Sequence, residues 1–170
     1  GRAAGTVPPL EETADIGTLR AMRAGLYLEP FLVAEYLRDN PGRGAEIAAG
    51  KIVFVHASGL LACTPDAWTW DLERPEIRWP LQVKNWSIGC SGWFKDGATP
   101  SQLALQCAAE AICTGRTRAT AHVLLGCRDS HTRDVEVGPE TEADLLAIQA
   151  GFATAVKALI VNHLSGGKYE

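Results

Sequence analysis

Leu61-Ala62-Cys63-Thr64-Pro65-Asp66-Ala67-Trp68, followed further along by Leu81-Gln82-Val83-Lys84, are the stretches whose reading decides the fold. Pro65-Asp66 separates the short run 60–64 from 67–70, and 79–85 returns after the turn formers of 71–75. The last two runs carry the aromatic and β-branched residues of a pleated, half-buried surface. Side chains alternate along a strand, so Gln82 and Lys84 share one face and Val83 takes the other. An acid at one strand's end and two polar groups on the next can converge on one small volume.

Working outward, Lys51-Ile52-Val53-Phe54-Val55-His56 predicts a strand punctuated by Ser58-Gly59. With 67–70 and 79–85 it makes a β-meander with a charged connection. Upstream, 11–37 has a helical pattern in which Leu26, Phe31, Val33, Ala34 and Leu37 alternate with Glu29, Glu35 and Arg38. Pro30 begins a helix or a new turn of one, and Asn40-Pro41-Gly42 ends it. Downstream, 100–113 predicts a helix closed by Gly115, 119–125 a strand, 128–131 a polar turn and 133–137 a short strand. An amphipathic helix over 142–164 follows, with Ser165-Gly166-Gly167 past its end. This order gives an α/β fold, a central mixed β-sheet flanked by helices, without internal repeats. Residues 1–10 read as a flexible N-terminal arm and 11–170 as a single domain.

The 170 residues suit one domain with a sizeable core. Apolar residues make up 46% and charged residues 21%, as in soluble globular proteins. No apolar run reaches the roughly 20 residues of a membrane span, and no basic-then-apolar leader opens the sequence, so a cytoplasmic protein without a membrane partner is expected. Cys63, Cys90, Cys107, Cys113 and Cys127 are odd in number and contain no Cys-x-x-Cys, which argues against a disulfide framework or a cysteine-held metal. A net charge of −4 argues against a protein that coats DNA by phosphate neutralisation. It is compatible with an enzyme that gathers carboxylates around divalent cations. Neither a phosphate-binding Gly-Lys-Ser/Thr loop nor a nucleophile-elbow serine is present.

Asp66, Gln82 and Lys84 suit phosphodiester hydrolysis. An Asp and a second oxygen ligand hold Mg²⁺, the metal lowers the pKa of a bound water, and a lysine orients it and offsets developing charge. Taken singly, an Asp after Pro also serves as a turn residue, and a strand Lys as a solvated face.

The two stretches together resemble the PD-(D/E)xK nuclease core and, more narrowly, the phage lambda exonuclease and YqaJ-type viral recombinase family. Three further features follow in the family's order. Arg23-Ala24-Gly25 with Leu28-Glu29-Pro30 resembles its Arg-x-Gly…Glu-Pro helix. Pro100, Leu103 and Gln106 resemble its Pro-x-x-Tyr-x-x-Gln helix, with Leu103 at the tyrosine position. Residues 133–137 and the last helix resemble its closing strand and helix. The resemblance spans about 23–159 and implies a restriction-endonuclease-like core. It implies a Mg²⁺-dependent deoxyribonuclease, with Mn²⁺ as a substitute, that degrades duplex DNA from an end, 5′ to 3′, in phage-type recombination. A homotrimer, a single-strand annealing protein as partner and a bacterial or phage-infected host cell are implied as well. Asp66 would be the central metal ligand, Lys84 the catalytic lysine, Glu29 an acid from the first helix and the Val83 carbonyl a metal contact. Gln106 would lie near the metal or the terminal nucleotide.

Gln82 stands where the family has Glu or Asp. An amide oxygen can ligate Mg²⁺ but lacks the carboxylate's charge. Either the amide serves, or another acid replaces it, or the chain is a DNA-binding or assembly subunit that does not cut. Glu110, four residues after Gln106 and on the same helix face, is the candidate replacement; Glu35 competes with Glu29. Among Trp68, Trp70, Trp79, Trp86 and Trp93, packing accounts for at least three, while Trp86 and Trp93 follow the lysine strand where bases could stack. Arg116, Arg118, Arg128 and Arg133 could meet phosphates or simply water. His56, His122, His131 and His163 show no ligand spacing.

Overall fold

The computed structural model describes residues 16–49 and 52–164, of which 16–23, 26, 95, 96 and 158–164 are described by their backbone alone. The arm at 1–10, the expected helix residues 11–15 and Ser165-Gly166-Gly167 lie outside the described residues. In chain order the elements are α1 (Ile16–Asp39), β1 (Arg43–Ile47), β2 (Phe54–Val55), β3 (Ala62–Cys63), β4 (Ala67–Asp71) and β5 (Trp79–Trp86). A 3₁₀ segment (Ile88–Gly97), α2 (Ser101–Cys113), β6 (Arg118–Leu125), β7 (Asp129–Glu136) and α3 (Pro139–Leu164) complete them.

Five strands form one sheet in the order β1-β4-β5-β6-β7, antiparallel at every pairing except β5 with β6. Parallel neighbours need a crossover between them, and α2 provides it. The expected mixed sheet flanked by helices is therefore present. Period-two alternation assigns the two faces. Leu81 and Val83 of β5 and Leu124 of β6 pack on Leu32, Val33 and Tyr36 of α1. Ala119, Ala121, Val123 and Leu125 of β6 pack on Leu103, Cys107 and Ala111 of α2. β6 is buried almost end to end because both of its faces are covered, as interior parallel strands are. A third cluster joins Leu61, Ala108, Ile112 and Leu145 where the β3 region and α3 meet α2.

The structure corrects several expectations. The strand at 51–56 contracts to Phe54–Val55 and pairs with β3 in a separate two-stranded sheet, so it takes no part in the meander. Its place beside β4 goes to β1, which the sequence pattern did not disclose. Gly44 permits this pairing: a β-carbon there would collide with the Trp70 indole. The turn after β6 falls at Gly126-Cys127, where φ is 56° and 57° and Arg128 N–H donates to the Leu125 carbonyl at 3.0 Å. Consecutive positive φ angles match the twist of a hairpin. Residues 129–131, expected in the turn, consequently belong to β7. Pro30 neither starts nor stops α1 but lies inside it, exposed, while Leu32, Val33 and Tyr36 anchor the following turns. That anchoring offsets the backbone bond that proline cannot donate. In α3 Leu145 is buried, but Ile148 and Phe152 are exposed.

Charged groups tie the sheet margin together. Arg43 reaches Asp71 (3.0 Å) and Asp134 (2.8 Å), and Arg118 reaches Asp71 at 3.0 Å while lying 3.3 Å from the Trp79 ring centroid. Trp79 itself is buried and donates its Nε1–H to Thr120 at 2.8 Å. Arg118 is thus spent on an acid and an aromatic face rather than standing ready for a phosphate, and Arg133 is spent on the Gly97 and Thr132 carbonyls. Trp68 packs edge-on against Phe54, and Trp70 lies beneath Arg78. Among the described residues, no helix is long and apolar enough to cross a membrane.

Candidate active site

Asp66 stands one residue before β4, and its backbone is held by Ala48 N–H donating to its carbonyl at 3.1 Å. The β4–β5 ladder ends at Ala67 opposite Leu81. Past that point the Asp66 carboxylate takes over as acceptor: its Oδ2 receives the Val83 N–H at 3.0 Å and the side-chain amide of Gln82. Lys84 Nζ lies 3.9 Å from the same oxygen. The predicted pairing of Asp66 with Gln82 and Lys84 is therefore realised, and it arises because one strand stops where the next continues.

Gln82 and Lys84 point toward the α2 side of the sheet. There Gln106 Nε2 donates to Gln82 Oε1 at 2.8 Å and, at 3.4 Å, to Glu110 Oε1. Gln106 and Glu110 are one helical turn apart, so both face β5. Gln82 and Glu110 are 1% and 2% exposed, which makes this a buried polar row rather than a solvated one. Within it, Glu110 Oε2 has no hydrogen-bond partner among the described residues. Burial, reinforced by the nearby Asp66 charge, pushes the Glu110 carboxyl up to about 8. Burial also raises Asp66, with Lys84 and the Val83 N–H opposing the shift.

Asp66 and Lys84 also line a cavity of about 410 Å³ together with residues of α1 and the end of β5. Leu28 and Leu32 form an apolar wall, Glu29 adds an acid, and Asn85 and Trp86 close the far side. Trp86 is half-buried, packed edge-on against Trp93 and tilted on Phe94. Glu35 is ion-paired with Arg38 and is not part of the lining, so of the two α1 acids Glu29 is the one at the cavity. The Arg23 side chain lies outside those described. Asn85 was missed in the sequence, although it directly follows Lys84.

Carboxylate and amide oxygens are the donors that a hard divalent cation takes. Asp66 and Glu110 supply carboxylates, Glu110 has one oxygen without a hydrogen-bond partner among the described residues, and the Gln82 amide is linked to Asp66 directly and to Glu110 through Gln106. Among the described residues no three His, Cys, Asp or Glu side chains form a metal-holding group. That agrees with an amide at position 82 and with Glu29 set across the cavity.

No family model matches the sequence, and no curated protein matches it. Among solved structures, the chain resembles an alkaline exonuclease from Laribacter hongkongensis. The TM-score is 0.63 at 16% identity, over 85% of this chain and 73% of that one. The same exonuclease in complex with dAMP aligns with a TM-score of 0.61 at 17% identity, over 86% and 74% of the two chains. The fold is thus similar to that of an alkaline exonuclease.

Proposed function

We propose that the chain is a divalent-metal-dependent deoxyribonuclease that removes nucleotides from the end of duplex DNA. The observation that carries this reading is the convergence of Asp66, Gln82, Lys84, Gln106 and Glu110 in a fold similar to that of an alkaline exonuclease. Asp66, Glu110, the Gln82 amide oxygen and the Val83 carbonyl would hold Mg²⁺ or Mn²⁺. Gln82 now presents Nε2 to Asp66, so it needs a half-turn of its amide, a rearrangement that Gln106 can follow by the same move. Bound there, the cation would polarise the scissile phosphate and make a water more acidic. Lys84, anchored by Asp66, offsets charge developing on the phosphate oxygens. The cavity beside them suits the terminal nucleotide, with Trp86 and Leu28 as apolar walls for a base and Glu29 at the margin. The resemblance to phage recombination exonucleases supports a 5′-to-3′ enzyme acting with a single-strand annealing protein, as a homotrimer, in the cytoplasm.

The test is incubation of linear duplex DNA with the protein and Mg²⁺ or Mn²⁺, with a chelator control and Lys84→Ala. Metal-dependent release of mononucleotides, lost in the variant, is expected. A second reading is favoured by one specific observation: Gln82 replaces an acid and hydrogen-bonds Asp66. On that reading the chain binds DNA without cutting it. DNA binding without cleavage in either metal would establish the second reading and remove the first.

A further inference from the structure

The strand that carries Lys84 ends at Trp86, which lines the cavity, and the 3₁₀ segment begins two residues later. Phe94 anchors that segment. It is buried and stacks on His131 of β7, with ring centroids 4.5 Å apart and planes 5° from parallel. Successive side chains of a 3₁₀ helix point about 120° apart, so a buried Phe94 leaves Trp93 turned outward. Trp93 is 54% exposed, and its ring meets the Trp86 ring edge-on, with 5.5 Å between centroids and 76° between planes. Exposed Ile88 sits beside the β6–β7 turn, where a β-carbon on Gly126 would come within 3.2 Å of it. That turn is tied to the end of β5 by Gly126 N–H donating to the Trp86 carbonyl at 2.8 Å. Arg128, exposed just past it, has no ion pair among the described residues, whereas Arg118 and Arg133 are engaged within the fold. An outward indole, an exposed isoleucine and an uncommitted cation thus gather at the cavity end of the sheet.

We propose that Trp93 is a stacking platform for an unpaired base of single-stranded DNA, with Arg128 as a contact for the phosphates of the same strand. Stacking on a base takes an exposed indole face out of water and asks for no particular sequence. The ring geometry selects unpaired bases. Neighbouring bases of a duplex lie parallel, so a duplex cannot lay two of them on the Trp86 and Trp93 rings, whose planes are 76° apart. A single strand can, because its bases turn independently about the backbone. Its phosphates supply the negative charge that Arg128 has not found within the fold. Resting on the nuclease reading above, with the terminal nucleotide in the cavity, the Trp93 ledge holds a tail of the same DNA end. Ends with a single-stranded tail are therefore favoured over blunt ends.

The test is fluorescence anisotropy of the full chain with a labelled oligothymidylate and with a blunt duplex of the same length, both in chelator so that no strand is cut. The parent is expected to bind the oligothymidylate. Trp93→Ala should weaken that binding roughly tenfold, the usual loss for one stacked base, and change affinity for the blunt duplex less than about twofold. Trp93→Phe keeps a stacking ring and should retain most of the affinity. Arg128→Ala should lower the salt dependence of oligothymidylate binding by about one counterion. Phe152→Ala removes a still more exposed aromatic from α3 and should leave both affinities unchanged. A parent that binds no oligothymidylate overturns the proposal. So does binding that survives Trp93→Ala, that Trp93→Phe fails to restore, or that falls equally in Phe152→Ala. An equal loss on the blunt duplex overturns the selection of unpaired bases. Cleavage of blunt duplex with Mg²⁺ is scored separately. Trp93-dependent binding without cleavage leaves the ledge standing and removes the nuclease reading, whereas cleavage without a Trp93 effect on binding does the reverse.

Discussion

Replacing Glu110 by Gln should make the metal-free protein more stable, and increasingly so as pH rises. Glu110 is buried, its Oε2 has no hydrogen-bond partner among the described residues, and its carboxyl is pushed up to about 8 from an ordinary 4.5. Below pH 4.5 the group is protonated in both folded and unfolded chains and contributes no pH dependence. Between 4.5 and 8 the folded protein keeps the proton that the unfolded chain releases, so stability falls as pH rises. Above 8 both forms are ionised and the loss is complete. Three and a half pH units at about 1.36 kcal/mol each give a penalty on the order of 5 kcal/mol. For a chain of this size that corresponds to roughly 10–20 °C in melting temperature. The substituted amide keeps the acceptor for Gln106 and cannot ionise. Its own unpaired N–H adds a cost that does not vary with pH. Melting curves of parent and Glu110→Gln from pH 4.5 to 9 in chelator should therefore diverge steadily. Mg²⁺ or Mn²⁺ at pH 8–9 should raise the parent strongly and the variant little, because the cation needs the ionised carboxylate. A melting-temperature difference that stays constant over this range would refute the reasoning.

Other perturbations separate chemistry from scaffold. Lys84→Ala should lower cleavage by about 10²–10³-fold, the usual cost of removing a group that meets transition-state charge, with DNA affinity measured by filter binding changing only a few-fold. Gln82→Glu adds a third carboxylate between Asp66 and Glu110, and should lower the Mg²⁺ concentration for half-maximal cleavage by roughly tenfold. Unchanged metal titration curves would remove Gln82 from the ligand set. Gly44→Ala drives a methyl group into the Trp70 ring. It should cost about 1–3 kcal/mol in urea denaturation while leaving the metal response of the folded fraction intact.

The sheet and the site were legible to different degrees, for physical reasons. Elements whose sequence carries its own period were read to within a few residues: α2 by its apolar face, β6 by its buried run, β5 by its alternation. β1 was invisible because Arg43-Gly44-Ala45-Glu46-Ile47 has neither period nor bulk. It is a strand because β4 offers it a ladder and Gly44 yields room to Trp70. The hydrophobic run at 51–56 misled for the complementary reason. Its composition suits a strand, but Ile52, Val53 and Val55 remain exposed, and only a two-residue pairing with β3 forms. Asp66, Gln82 and Lys84 could be placed together from strand geometry. Gln106 and Glu110 were expected beside them only through the family resemblance and their shared helix face, because no local pattern encodes that α2 crosses behind β5. Arg118 shows the limit from the other side, since an arginine's availability depends on partners as distant in sequence as Asp71.

The position of Glu110 bears on how an amide at 82 can coexist with a working site. If Gln82 merely marked a decayed centre, nothing would require a carboxylate to stay ionisable, buried and incompletely bonded directly behind it. Burying a carboxyl with an unengaged oxygen is destabilising, and a substitution to Gln, Leu or Met would relieve that cost. Yet the helix presents Glu110 to the α2 face of β5, with Gln106 bridging it to Gln82 and the Asp66 charge near enough to raise its proton affinity. Two carboxylates that repel each other when empty are the arrangement a divalent cation reverses, turning mutual repulsion into shared attraction. On the proposed nuclease reading, the acid missing from β5 would be supplied by the helix packed against it, and the amide oxygen of Gln82 would join the two carboxylates as a neutral ligand.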